Sequence, residues 1–262
     1  MMSRHLINIS VTVVALWIIA PLFVIILTSV NSEASFSFPP QGFSLRWYTN
    51  FLSDAGWLSA FYDTSIVAIL TTIVATALGL LAALGLYRSN FYGKRAITGL
   101  LISPMIVPGI LVAVGLYSVF TRFGLVGTLT GFVIAHTVVA IPLVVINVLS
   151  ALSSFDPKLA QAAGSLGATP LTTFRKITLP LILPGVAAGA AFAFVTSFDE
   201  IIISLFIQSP FIQTLPVKMF QSVTFDSDPT VAAGAVLMMC ISVGLASLTA
   251  LIKRPAELKN DQ

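Results

Sequence analysis

Asp199 and Glu200 stand side by side in the stretch SFDEIIISLF, Ser197–Phe206, at the end of a long apolar run. They are the only carboxylates inside any window of the chain long and apolar enough to cross a bilayer. Ionisable groups at such depth are costly, and the first reading of one is a functional site. A buried carboxylate requires a cation, a proton or a set of hydrogen-bond donors. The apolar windows contain no Lys or Arg, so the cation would have to be a solute or a protonated histidine. His136, one of two histidines in the chain, falls at nearly the same depth in the preceding window and is the obvious structural partner. Ser197 could back-bond its own helix or line a path. If residues 181–206 form one helix, successive side chains point about 100° apart, so only one carboxylate can face a central pathway. Asp199 is favoured for that role and Glu200 for a neighbouring helix. Substrate contact and structural pairing both remain open from these residues alone.

The elements that must position them are membrane helices. The chain has 262 residues, 57% hydrophobic and only 9% charged, with a mean hydropathy of +1.00, whereas soluble domains carry about 25% charge. This composition excludes disorder, and a net charge of +3 leaves no basic tract to neutralise phosphates of a nucleic acid. Six windows lack Lys and Arg: 7–30, 64–86, 97–120, 129–151, 181–206 and 231–252. Each is long enough to span as a helix, which predicts an all-α integral membrane protein organised as a single transmembrane domain over 1–262. The first apolar run is too long for a signal peptide and is followed by no small-residue cleavage site, so it reads as a permanent helix. Alternate connecting segments hold ten of the thirteen Lys and Arg residues, including Arg88, Lys94, Arg95, Lys158, Arg175, Lys176 and Lys259. The positive-inside rule then puts both termini in the cytoplasm.

The opposite loops carry Glu33, Asp54, Asp63, Asp226 and Asp228, a mildly acidic outer face that only weakly suggests a cationic solute. The first of these loops contains Phe36–Pro40, expected to be extended. Leu45, Trp47, Tyr48, Phe51, Leu52, Trp57, Leu58 and Phe61 follow at roughly helical spacing, as in a helix lying along the outer interface with its rings at the headgroups. Pro21, Pro104, Pro108 and Pro142 fall inside windows, where they predict local kinks. No phosphate loop occurs, since Gly93-Lys94 has Arg88 where the first glycine is required. No GxSxG or HExxH occurs either, and Cys240 stands alone, which gives no hydrolase constellation, disulfide or cysteine-based metal site. Neither a catalytic function nor a bound cofactor is expected of this chain.

Between the fourth and fifth windows lies FDPKLAQAAGSLGATPLTTFRKITLPLILPG, Phe155–Gly185, the longest inner connection. Asp156-Pro157 and Thr169-Pro170 each pair an N-cap residue with the residue favoured at the first helical position, and Gly167 can take positive φ to end the helix between them. Two short helices are expected. Ala160, Gly164 and Gly167 fall on one bare face of the first, beside an apolar strip of Leu159, Ala163 and Leu166. The order Gln161, Ala162, Ala163, then Gly167, then Ile177, Leu179 and Pro180 resembles the EAA loop of ABC importer permeases. One position departs from the pattern: Gln161 stands where the family usually has Glu. FPPQGFSLRWYTNF, SFDEIIISLF and TLPVKMF are further similar to the polyamine-type branch, the inner-membrane subunits of spermidine and putrescine importers, and within it to the second of their two permeases.

The resemblance implies a type I ABC importer permease fold with six transmembrane helices, in which residues 155–180 form a coupling loop gripped by a cytoplasmic ATPase. It also implies the partners: a second, similar permease, two copies of the ATPase that binds ATP and Mg, an external solute-binding protein, and a small, plausibly cationic organic solute. The chain would sit in a bacterial inner membrane as a multi-pass subunit. The rival is a secondary transporter driven by an ion gradient through Asp199, Glu200 and His136.

Overall fold

The structure, a computed structural model, describes residues 2–34 and 37–257. Phe36 and Lys259, which entered the expectations above, lie outside the described residues. The described chain is helical, with two isolated β-bridges, Asn31 with Phe43 and Ser209 with Ile212. Five helices are long and apolar enough to cross a membrane among the described residues, and a bent pair makes a sixth if taken as one span. The chain divides into two compact units, Met1–Phe61 with Leu215–Ile241 and Tyr62–Thr214 with Ser242–Gln262.

The first unit contains α1 (Met2–Ser29), α2 (Arg46–Ser53), the start of α3 (Ala55–Arg88), α11 (Leu215–Gln221) and the first part of α12 (Thr230–Glu257). The aromatic stretch of the first loop is not one interfacial helix. Asp54 takes an extended conformation and closes α2. Its Oδ1 accepts from Trp57 N at 2.9 Å, so the same residue caps the start of α3, which runs on without interruption through the second apolar window. Phe51 and Trp57 are buried rather than spread along headgroups, with ring centroids 5.8 Å apart. Asp228 has a comparable structural task, accepting from Thr230 N at 2.9 Å and from Trp57 Nε1 at 3.3 Å, beside the Lys218 ammonium that lies over the Trp57 ring. Asp54 and Asp228 are therefore both occupied as caps.

The second unit contains the rest of α3, α4 (Lys94–Ile102), α5 (Gly109–Phe123), α6 (Leu129–Ser153), α7 (Pro157–Ser165), α8 (Pro170–Thr173), α9 (Leu179–Phe198) and α10 (Ile202–Ile207). Its core is the seam of α6 with α9 and α3, built from Val144, Val148, Leu152, Ile182, Val186, Ala75 and Ala83. Small residues let the helices approach: a side chain at Gly185 would meet Ala151, at Gly189 the backbone of Val144, and at Gly79 the Val144 side chain. A second cluster joins α5, α6 and α10 through Ala113, Phe120, Phe132, Ala135, Ile203 and Ile207.

Two windows expected as continuous helices are interrupted. The window 97–120 is broken: α4 and α5 meet at 100°, with Pro104 in a 3-10 turn and Pro108 directly before α5. Pro108 supplies no N–H and disfavours helical geometry at Val107, so the prolines end one helix and start another where mere kinks were expected. The window 181–206 is also broken. Its helix stops at Phe198, and the chain resumes helical form only at Ile202. At its other end α9 is continuous with α8 through a π-helical turn, Phe174–Thr178, so the second of the two expected short helices is instead the root of a 29-residue span, Pro170–Phe198.

Candidate functional site

The break between α9 and α10 brings together the chemistry-bearing residues of the second unit. Asp199 is the C-cap of α9, its N–H donating to Val195 O at 3.0 Å, and its side chain is exposed. Glu200 turns the other way. Its Oε1 accepts from Ile203 N and its Oε2 from Ser204 N, both at 2.9 Å, so the carboxylate caps the first turn of α10. The two acids are thus distinguished by a helix end and not by a 100° step along one helix, which corrects the geometry assumed from sequence. The Asp199 side chain is exposed and the Glu200 carboxylate is engaged by α10.

His136, on α6, is fully buried. Its Nδ1 shares a hydrogen bond of 2.8 Å with Ser197 Oγ in the last turn of α9. Its Nε2 shares one of 3.0 Å with Ser204 Oγ in the first turn of α10, and Glu200 Oε2 lies 3.7 Å from the same nitrogen. Phe132 meets the imidazole edge-on, ring centroids 5.9 Å apart. Ser197 therefore bonds the histidine rather than facing a path. Ser204, essential to this arrangement, was missed from sequence. Its signal was present: two serines seven residues apart flank the carboxylate pair.

Electrostatically the break is lopsided. The C-terminus of a 20-residue helix carries partial negative charge on its unpaired carbonyls, and Asp199, when ionised, adds to it at that end. The positive end of α10 is already answered by Glu200. What remains unanswered is negative, which suits a cation. Phe192 and Val195 precede Asp199 on the same face of α9, at i−7 and i−4. With Ala188, Ala191 and residues of α12 they line an apolar groove of about 280 Å³. No group of three or more His, Cys, Asp or Glu able to hold a metal occurs among the described residues.

The segment between α6 and α9 forms a hairpin. Asp156 Oδ1 accepts from Lys158 N at 2.9 Å and caps α7, Gly167 closes it at φ +82°, and Thr169 Oγ1 accepts from Thr172 N at 3.3 Å to start α8. Gln161, Ala162, Gly164 and Gly167 are exposed, and a side chain at Gly164 would meet nothing within 4 Å. Ala163 is buried, while Leu159 and Leu166, assigned with it to one strip, point outward; Leu166 is 90% exposed. Ile177, Leu179 and Pro180 belong to the root of α9, where Leu179 packs against the α6 seam. The motif thus splits between an exposed hairpin and the span it leads into.

Residues 75–256, more than half of the chain, match the family described as binding-protein-dependent transport system inner membrane component, and the chain belongs to that family. The spermidine/putrescine transport system permease protein PotC of Escherichia coli (strain K12) is 32% identical over 243 residues, 93% of this chain and 92% of that protein. The putrescine transport system permease protein PotI of the same strain is 31% identical over 228 residues, 84% of this chain and 80% of that one. A subunit of a bacterial alginate ABC transporter, crystallised with an alginate pentasaccharide-bound periplasmic protein, has the same fold: TM-score 0.74, 13% identity, covering 97% of this chain and 94% of that one. The protein is accordingly a non-catalytic ABC importer permease subunit, multi-pass in the bacterial inner membrane, with ATP hydrolysis expected of a separate ATPase. Importers of this architecture combine a second permease, an ATPase dimer and a periplasmic binding protein.

Proposed function

We propose that the chain forms half of the translocation pathway for a small cationic organic solute such as a polyamine, with Asp199 as the pathway carboxylate. The observation carrying this reading is the exposed Asp199 at the negative end of α9, beside a Glu200 already committed to α10. Similarity to polyamine permeases supports the same solute class. Glu200, His136 and Ser197 frame the site from behind. The termini and the hairpin face the cytoplasm, consistent with the distribution of Lys and Arg. Residues 155–180 act as the coupling segment: ATP binding closes the ATPases, the hairpin moves with them, and the helices change from inward to outward access.

The test is ATP-driven uptake by the complete importer reconstituted in vesicles, with putrescine, spermidine and neutral solutes compared. Wild-type complex should take up the polyamines, and Asp199→Asn should lower that uptake at least about tenfold, the loss of one charge-assisted contact. Preference for a neutral solute, or uptake indifferent to Asp199→Asn, would remove the charge argument. Uptake that persists without ATP and collapses with an ionophore would favour the gradient-driven alternative.

A further inference from the structure

We infer that His136 is the positioning residue of the break in the fifth membrane helix, a single imidazole that clamps both helix ends and so fixes where Asp199 points. This rests on the pathway role given to Asp199 above, but the clamp itself is a statement about geometry.

α9 ends without glycine or proline: Val195 to Ser204 reads VTSFDEIIIS. No residue here is a helix breaker by propensity, so side-chain contacts must hold the break. Two contacts hold it. Glu200 caps α10 through two backbone N–H groups, which starts a new helix but does not fix its direction relative to the old one. His136 supplies that second constraint. One ring nitrogen bonds Ser197, two residues before Asp199, and the other bonds Ser204, five residues after it, at 2.8 and 3.0 Å. Because the imidazole is rigid and its two nitrogens diverge, the separation of the last turn of α9 from the first turn of α10 is set by the ring.

The ring itself cannot drift, since His136 is fully buried, Phe132 lies against it, and α6 is locked to α9 along the glycine-lined seam. In either tautomer one nitrogen donates and the other accepts, and serine hydroxyls serve both roles, so a neutral imidazole satisfies the whole set. The clamp therefore needs no charge on the histidine, and Asp199 remains the unanswered negative group at the break. His136, read from the sequence as a structural partner of the carboxylates, acts on the solute only through Asp199.

The experiment combines transport with a readout independent of it. In the complete importer, His136→Leu should raise the KM for polyamine uptake about tenfold and leave Vmax nearly unchanged, as expected for the loss of two buried hydrogen bonds that orient a binding group. His136→Gln, which keeps one donor and one acceptor, should recover most of the loss. Ser197→Ala and Ser204→Ala each remove one arm without touching the ring and should raise KM about threefold to fivefold. On an Asp199→Asn background His136→Leu should add almost nothing. Independently, in a Cys240→Ser chain carrying Asp199→Cys, His136→Leu should change the rate of thiol labelling severalfold and His136→Gln should restore it.

Unchanged KM and unchanged labelling in assembled His136→Leu complex would overturn the clamp. So would a His136→Leu penalty just as large on the Asp199→Asn background. If His136→Leu fails to assemble, the two serine variants carry the same test with the same outcomes. Labelling that responds to His136 while Asp199→Asn leaves uptake untouched would retain the clamp and reject the pathway carboxylate.

Discussion

The α7 hairpin lies in the chain between α6 and α9, the two helices of the seam, yet hairpin and seam follow opposite rules. At the seam the glycines have neighbours waiting: a side chain at Gly185 would collide with Ala151, and one at Gly189 would be pressed against Val144 and Asn147. On the hairpin Gly164 faces empty space, Leu159 and Leu166 are exposed, and Ala163 is the one buried residue of α7. The same residue types, glycine, alanine and leucine, thus serve closure within the chain in one place and availability outside it in the other. Burial of apolar surface is the main source of stability, so the seam supports the fold and the hairpin contributes little to it. Such exposure is what the coupling role proposed above requires.

Breaking the seam should have the largest effect. Gly189→Leu would set its Cβ 3.0 Å from Val144 Cα, and backbone in the middle of a packed helix cannot retreat. Overpacking of this sort costs about 1–3 kcal/mol or more, against a total of about 5–15 kcal/mol. The yield of monodisperse protein should collapse and its thermal midpoint fall. The hairpin counterpart is Gly164→Trp, a far larger side chain at an exposed helical site. It should leave yield and thermal midpoint of the isolated subunit at wild-type values while abolishing co-purification of the ATPase and ATP-driven uptake. If Gly164→Trp destabilised the subunit itself, or left ATPase association intact, the hairpin would not be the free surface described here.

The same contrast explains what the sequence could reveal. The hairpin was legible because its determinants are local: Asp156-Pro157 starts α7, Gly167 ends it, and Thr169-Pro170 starts the next turn, all within fifteen residues. The break after Phe198 was not, because only the Glu200 cap on α10 is local and the clamp across the break is tertiary. His136 lies 61 residues before Ser197 and 68 before Ser204, and no residue of VTSFDEIII is a helix breaker. The α4–α5 break was half legible. Pro104 and Pro108 marked the place, but a 100° turn depends on what each half packs against. The interfacial helix of the first loop was misread for a similar reason: Asp54 acts as a cap on α3, and helical spacing of aromatic residues carries over a change of helix without any sign.

A smaller effect tests whether the hairpin must be preformed. Asp156→Ala removes the acceptor for Lys158 N, a loss of about 1 kcal/mol for an N-cap. Pro157 still fixes the first helical φ, so α7 should fray at its start and not disappear. ATPase affinity should drop about fivefold, the equivalent of that energy, with uptake reduced in proportion at limiting ATPase. Subunit stability should not change, and a falling thermal midpoint would indicate that the hairpin is more closely tied to the seam than its exposure implies.

The smallest expected change is a gain. Gln161 is exposed on α7 at the position where the resembling permeases usually carry Glu, and a neutral amide accepts a weaker hydrogen bond than a carboxylate. Gln161→Glu should raise ATPase affinity a few-fold if a cationic group of the ATPase approaches this site, and the gain should shrink as salt is added, since exposed charges are screened over about 10 Å at 0.1 M ionic strength. It should not alter the folded subunit, because nothing within the chain bonds Gln161 through its side chain among the described contacts. A salt-dependent gain would show that a cation meets α7 at this position. A salt-independent loss would show instead that the partner surface has been matched to the amide, and that the departure at Gln161 belongs to a paired change in the ATPase.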